Sequence, residues 1–168
     1  KQSSLVGGLV LLPGSIIAGL LNPYFGSLYD KRGAKLPLYL GGFFMALSCL
    51  LFAIFGLNLS AMMIIIFYGI MMMGHRMSFS NTMAEALKVE TGKLRADATA
   101  VCQTSQQLAG SVGTTILASI MSVWQKQGHG SYTMATAQGS QAAFCFTLLM
   151  SLIIMFSYWK MFRAEKAK

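Results

Sequence analysis

Acidic residues are scarce: five Asp and Glu stand against thirteen Lys and Arg in 168 residues, and charges of both signs make up only 11% of the chain. A water-soluble domain carries about twice that share of charge, so an ordinary soluble fold is excluded. Cysteine is limited to Cys49, Cys102 and Cys145. None falls in a Cys-x-x-Cys or Cys/His ligand spacing, which leaves no disulfide framework or zinc site to read; all three read as small apolar residues inside helices. There is no Gly-x-x-x-x-Gly-Lys-(Ser/Thr) loop, no metal-ligand spacing and no Ser/His/Asp constellation. The chain is therefore expected not to be an enzyme, to hold no cofactor or metal, and not to be driven by ATP. The net charge of +8 does not point to nucleic acid, which requires basic residues gathered on one face beside groove-reading elements. The first residue is Lys1, and no initiator Met, basic leader or small-residue cleavage site precedes the first apolar run. The chain is expected to begin within a longer protein.

What the chain has is apolar sequence, 55% of it, gathered in runs near the ~20 residues that a helix needs to cross the hydrocarbon core. Five spans are expected, at about residues 5–28, 36–57, 61–80, 98–123 and 142–162, giving an all-α, polytopic membrane protein. Pro13-Gly14 and Asn22-Pro23 interrupt the first, which is expected to be kinked because proline frees a backbone carbonyl. Asn58-Leu59-Ser60 allows only a tight turn, so the third span returns antiparallel. It must continue to about Ser80, carrying His75 and Arg76 into the inner half of the membrane. Residues 81–96, with Glu85, Lys88, Glu90, Lys93 and Arg95, read as a helix end plus a water-facing connection. Trp124 to Gln141 reads as a Gly/Ser/Gln/Thr-rich loop.

With the start of the chain outside, residues 29–35, Arg76 to Arg95 and the tail from Lys160 lie inside. These segments hold eleven of the thirteen cations, all but Lys1 and Lys126. Such an asymmetry is what the positive-inside rule requires. Tyr29, Tyr158 and Trp159 fall at inner ends of spans and Trp124 at an outer end, where amphipathic rings settle. The expectation is a multi-pass protein of a bacterial cytoplasmic membrane with its C-terminus inside and the lipid bilayer as its solvent.

The most specific local pattern is Gly26-Ser-Leu-Tyr-Asp30-Lys31-Arg32-Gly33-Ala34-Lys35, in the short turn between the first two spans. Gly26 would allow two helices to approach closely, Gly33 a left-handed turn, and Asp30, flanked by cations, a charge network. The pattern resembles the signature loop of the major facilitator superfamily, Gly-x-x-x-Asp-(Arg/Lys)-x-Gly-x-(Arg/Lys). A hairpin that only satisfies positive-inside has no need of both glycines and the acid at these offsets. Leu11-Leu-Pro-Gly-Ser-Ile-Ile-Ala-Gly-Leu-Leu-Asn-Pro23 and Ser105-Gln-Gln-Leu-Ala-Gly-Ser-Val-Gly-Thr-Thr115 are similar to the 14-helix drug:proton antiporter branch of that superfamily.

The resemblance implies a C-terminal-half fragment. Residues 1–168 would hold the last five helices of a six-helix half, with the N-terminal half of the same protein as a missing partner. It further implies proton-coupled efflux of small lipophilic or cationic compounds by alternating access, with Gly26, Asp30, Lys31, Arg32, Gly33 and Lys35 in a gating loop. The third span departs from the branch: it lacks a mid-span proline, and His75-Arg76 stands where apolar residues are usual. Transport of a polar metabolite, or a non-transporting helical membrane subunit, are the alternatives.

Within the fourth span Gln103, Gln106, Gln107, Gly110, Ser111 and Thr114 follow helical spacing, so one face is polar and unsuited to lipid. Two readings stand: interhelical hydrogen bonding, or the lining of a water-filled substrate cavity, in which Gln amides both donate and accept. Asn22, Gln103, Gln106, Gln107 and Ser111 are the substrate-cavity candidates. On the adjacent face Ser105, Ala109 and Gly113 form a small-residue stripe that reads as packing. His75 and Arg76 are the coupling candidates, by proton relay at the imidazole; a packed or interfacial histidine is the alternative for His75, and snorkelling to the interface the alternative for Arg76. The thirteen methionines, Met71-Met-Met73 among them, suit either an adaptable pocket or lipid-facing packing.

Overall fold

The computed structural model describes residues 4–88, 92–127 and 131–165, and the regular structure among them is entirely helical. The elements are α1 (Ser4–Leu20), α2 (Asn22–Arg32), α3 (Lys35–Phe55), α4 (Ala61–Ala86), α5 (Lys93–Gln127) and α6 (Tyr132–Glu165). Lys1, Glu90, Lys166, Lys168 and the side chains of Lys93 and Glu165, which figure in the charge pattern, lie outside the described residues.

α1 and α2 together form one rod broken at Leu21. Pro13 is carried inside α1 without ending it, whereas Pro23 sits in the first turn of α2, where its missing N–H costs least. The rod stays continuous across the break because Leu21 donates to Ile17 at 3.1 Å and Phe25 donates to Leu21 at 3.1 Å. Of the two expected interruptions, the second is therefore the one that segments the span.

The rods Gly7–Arg32, Lys35–Phe55, Ala61–Ala86 and Tyr132–Ala164 are each long and apolar enough to cross a membrane. α5, at 35 residues, extends about 50 Å at the helical rise; it has the length, but its first half is polar. The chain is an all-α, multi-pass membrane protein.

α3 is the central helix, packed against α4 on one side and α6 on the other; α1 flanks α4, and α5 flanks α6. The α3–α4 seam is close because glycines face it. A Cβ added at Gly74 would lie 2.7 Å from the backbone N of Met45 and 2.8 Å from the carbonyl O of Gly41, so no side chain fits. Beside it the buried Ser48 hydroxyl donates to the Phe67 carbonyl at 2.7 Å. Phe52 then meets Phe67 edge-on at 5.3 Å and stacks on Phe144 at 4.5 Å, joining α3, α4 and α6. The tight turn before α4 is capped as its sequence predicts, with the Ser60 side chain accepting from the Met63 N–H at 3.3 Å.

Two expectations need correction. Residues 128–130 of the expected loop from Trp124 to Gln141 lie outside the described residues, and its described part is almost wholly helical, since α5 continues to Gln127 and α6 starts at Tyr132. Its hydroxyls bond their own helix, Thr136 to the Tyr132 carbonyl at 2.8 Å and Ser140 to that of Thr136 at 2.9 Å, so polarity there does not break the helix. The expected connection of residues 81–96 is likewise shorter, since α4 persists to Ala86 and α5 begins at Lys93.

The basic ends of three rods share one end of the bundle. Ala34, Leu38 and Phe162 form a buried cluster there, with Tyr29, Tyr39 and Tyr158 packed on it, and the hydroxyls of Thr82 and Tyr158 pair at 3.0 Å. At the opposite end Gln125 donates to Thr136 at 3.1 Å, next to Lys126. Gly74→Leu is expected to destabilise the α3–α4 seam by about 1–3 kcal/mol, the usual cost of overpacking, read as a lower melting temperature in detergent. Gly26→Leu, with nothing within 4 Å of a Cβ at that position, is expected to leave it unchanged.

Candidate functional site at the basic end of the bundle

The loop between α2 and α3 owes its form to Gly33. Its φ of 73° and ψ of −179° belong to a region open essentially to glycine alone, while its N–H closes α2 on the Tyr29 carbonyl at 2.8 Å. α3 resumes at Lys35, so the turn is very short and holds the end of α2 beside the start of α3.

Tyr29 faces α4, where its hydroxyl donates to the Glu85 carboxylate at 2.7 Å. The Lys88 ammonium binds the same carboxylate at 3.2 Å and lies 5.7 Å above the Tyr29 ring. This is the ion pair found among the described residues. The bond to Glu85 raises the Lys88 pKa above the ordinary lysine value, which favours the charged ammonium. Carboxylate, phenol and ammonium thus latch the ends of α2 and α4 together.

The expected site residues separate around this latch. Asp30 is exposed and outside the ion pair, because successive residues on a helix point about 100° apart and Tyr29 takes the face toward α4. Gly26, expected at a close helix approach, meets open space; Phe25 and Tyr29, four residues apart, define the packed face instead. Arg32, Gly33 and Lys35 border a 290 Å³ hollow with Ala34, Glu85, Lys88 and Phe162. Lys31 lies elsewhere, on a 380 Å³ groove between α2 and α4 that Met73 and Met77 also line.

Of the substrate-cavity candidates, Gln106 lines a 410 Å³ hollow with Phe79, Thr82 and Met83 of α4. Gln103, Gln107 and Ser111 are exposed on α5 and are not gathered into that hollow. Asn22 sits at the α1–α2 break with its buried side-chain oxygen unpartnered. His75 and Arg76 are exposed on α4, the imidazole parallel to the Phe79 ring at 5.9 Å. The stripe Ser105, Ala109 and Gly113, expected to pack, does not: Ser105 and Ala109 border the same hollow, and a Cβ on Gly113 would meet nothing within 4 Å. α5 rests on α6 alone among its close neighbours, which leaves this face uncovered.

The latch was the part missed from sequence. Tyr29 reads there as an interfacial anchor and Glu85 as loop polarity; the i,i+3 spacing of Glu85 and Lys88 was the available signal. In a double-mutant cycle, Tyr29→Phe and Glu85→Gln are expected to show a coupling of about 1 kcal/mol by thermal unfolding in detergent, and additive losses would refute the latch. Gly33→Ala is expected to cost about 1–3 kcal/mol through backbone strain, measured in the same way.

A family profile described as "Major Facilitator Superfamily" matches residues 2–114. A protein of Listeria monocytogenes named "Lincomycin resistance protein LmrB" is 36% identical over 155 residues, covering 87% of this chain and 33% of the relative. The Bacillus subtilis protein of the same name is 28% identical over 160 residues, covering 90% of this chain and 33% of the relative. A Bacillus subtilis protein named "Uncharacterized MFS-type transporter YcnB" is 29% identical over 150 residues, covering 87% and 31%. No solved structure matches the chain significantly. The chain spans about a third of the length of the curated relatives it matches. With a profile match that spans three whole rods and the first part of α5, and with its helical membrane fold, the chain belongs to the major facilitator superfamily.

Proposed function

We propose that the whole protein exports small lipophilic or cationic compounds in exchange for protons by alternating access, and that this chain supplies five helices of its C-terminal half. The relatives' names concern resistance to a drug, and membership of a transporter superfamily points away from catalysis. The observation that carries the reading is the open face of α5. Gln103, Gln106, Gln107 and Ser111 are exposed on it, and such a face is expensive against lipid but suited to a water-filled pathway. The unpartnered oxygen of Asn22 is a further polar group for that pathway.

The signature loop and the Tyr29–Glu85–Lys88 latch fit a gate at one end of the pathway. The latch can hold α2 on α4 in one conformation and release it in the other. Proton coupling has one ionisable candidate pair away from the basic helix ends, His75 and Arg76 on α4. Asp30, Glu85 and Asp97 lie at or near helix ends. The basic end faces the cytoplasm of a bacterial cell in this reading, with the C-terminus inside.

A polar metabolite is the second reading, favoured by the paired donor and acceptor capacity of the Gln amides. Cells expressing the full gene are expected to gain resistance to cationic dyes or antibiotics, to lose it when an uncoupler is added, and to lose part of it with Gln106→Leu at equal protein level. Unchanged sensitivity to the whole panel would refute drug export. For orientation, cysteines at Lys31→Cys and Lys126→Cys, placed in a background lacking Cys49, Cys102 and Cys145, are expected to differ. An impermeant thiol reagent applied to intact cells should modify only position 126, and labelling of both would overturn the threading.

A further inference from the structure

Two adjoining hollows at the basic end lie beside the proposed gate and away from the polar face of α5. The larger, 290 Å³, is bordered by Arg32, Lys35, Glu85, Lys88 and Phe162. The smaller, 170 Å³, is bordered by Lys35, Tyr39, Trp159, Phe162 and Arg163. Sharing Lys35 and Phe162, they lie side by side as a trough between the α2–α3 turn and the end of α6. Among the described residues, four cations and a single carboxylate line it. That carboxylate is already engaged by the Tyr29 hydroxyl and the Lys88 ammonium, so it does not neutralise Arg32, Lys35 or Arg163. None of those three is in an ion pair among the described residues. A concave surface with this surplus of positive charge selects an oxyanion, and guanidinium and ammonium donors are the usual partners of phosphate.

The surroundings distinguish a membrane-borne phosphate from a soluble one. Leu152, Phe156, Trp159 and Arg163 follow one another at i, i+4, i+7 and i+11, which places them in a single stripe of α6. The three apolar members are 53%, 55% and 45% exposed in that order. The Arg163 guanidinium stands 5.1 Å over the Trp159 ring at the trough's edge. The stripe thus leads from mid-span straight to the cations, with an aromatic ring of the type that settles at headgroup depth. A soluble anion would make no use of it, whereas acyl chains would lie along it. The surplus charge favours an anionic headgroup over a choline headgroup, whose ammonium would add a cation to four already there.

We propose that this trough binds an anionic phospholipid, with its phosphate diester held by Arg32, Lys35 and Arg163 and an acyl chain along Leu152 and Phe156. The assignment rests on the bilayer as solvent and is independent of what the protein transports. Basic pockets between membrane helices have the chemistry for such lipids. A bound lipid would join the α2–α3 turn to α6 across Phe162, a connection that no side-chain ion pair makes among the described residues.

The full gene product, purified in detergent and delipidated, tests this by native mass spectrometry with added phosphatidylglycerol, phosphatidylcholine or glycerol 3-phosphate. The wild type is expected to retain phosphatidylglycerol in preference to phosphatidylcholine, and glycerol 3-phosphate at equal concentration should not displace it. Lys35→Gln with Arg163→Gln is expected to weaken phosphatidylglycerol binding about 30-fold, from the usual contribution of two cations near an anionic lipid surface. The charge-keeping pair Lys35→Arg with Arg163→Lys should bind nearly as the wild type. Equal retention of the two lipids, an unaltered affinity in the glutamine pair, or displacement by glycerol 3-phosphate would each overturn the assignment, the last by giving the site to soluble phosphates. The lipid preference is read on the wild type, so a variant that fails to fold does not shelter the proposal. Drug resistance is not part of the readout, so failure of the export reading would leave this result intact.

Discussion

Helices immersed in hydrocarbon gain nothing from hiding apolar side chains from one another, because lipid tails solvate those side chains equally well. What remains is close van der Waals contact and the occasional interhelical hydrogen bond. The α3–α4 seam supplies both. Gly41 and Gly74 bring two backbones together, and Ser48 ties α3 to the Phe67 carbonyl. The other rods take their positions from this pair: α1 leans on α4, α6 on α3, and α5 on α6. A core in the soluble sense is small, with few large side chains fully buried, Leu38 chief among them.

The same arrangement explains why the two ends of the bundle differ. At the basic end, tyrosine hydroxyls meet partners from other helices, Tyr29 with Glu85 and Tyr158 with Thr82, around the Ala34–Leu38–Phe162 cluster. Rings that span an apolar body and a polar tip suit a depth where hydrocarbon gives way to water. α5, by contrast, packs mainly on α6 and turns its amides and small residues outward.

How far the sequence could be read depended on the range of each interaction. Apolar run length and cation placement report on a solvent, not on a neighbour, and they were sufficient to set the all-α membrane class and to put the basic turns at one end. Gly33 was legible because its constraint is local to the turn. The fate of 124–141 was not, since hydroxyl-rich composition suits a loop as well as a helix whose hydroxyls bond back to the preceding turn. Asp30 and Tyr29 show the same limit at single-residue scale. Adjacent in the motif, they differ by which way α2 is rotated, and that rotation is set by α4, far off in the chain. Likewise Ser105, Ala109 and Gly113 have the spacing of a packing face, but spacing does not supply a partner.

The discontinuity at Leu21 has a mechanical meaning. A straight helix transmits a tilt at one end undiminished to the other, whereas a rod divided near its middle can bend there with little loss of backbone bonding. α1 is seated on α4 near Gly14 and Tyr68, while α2 is fastened to the far end of the same helix through Tyr29. The two anchorages therefore act on separate levers joined at a pivot, and movement of one need not drag the other.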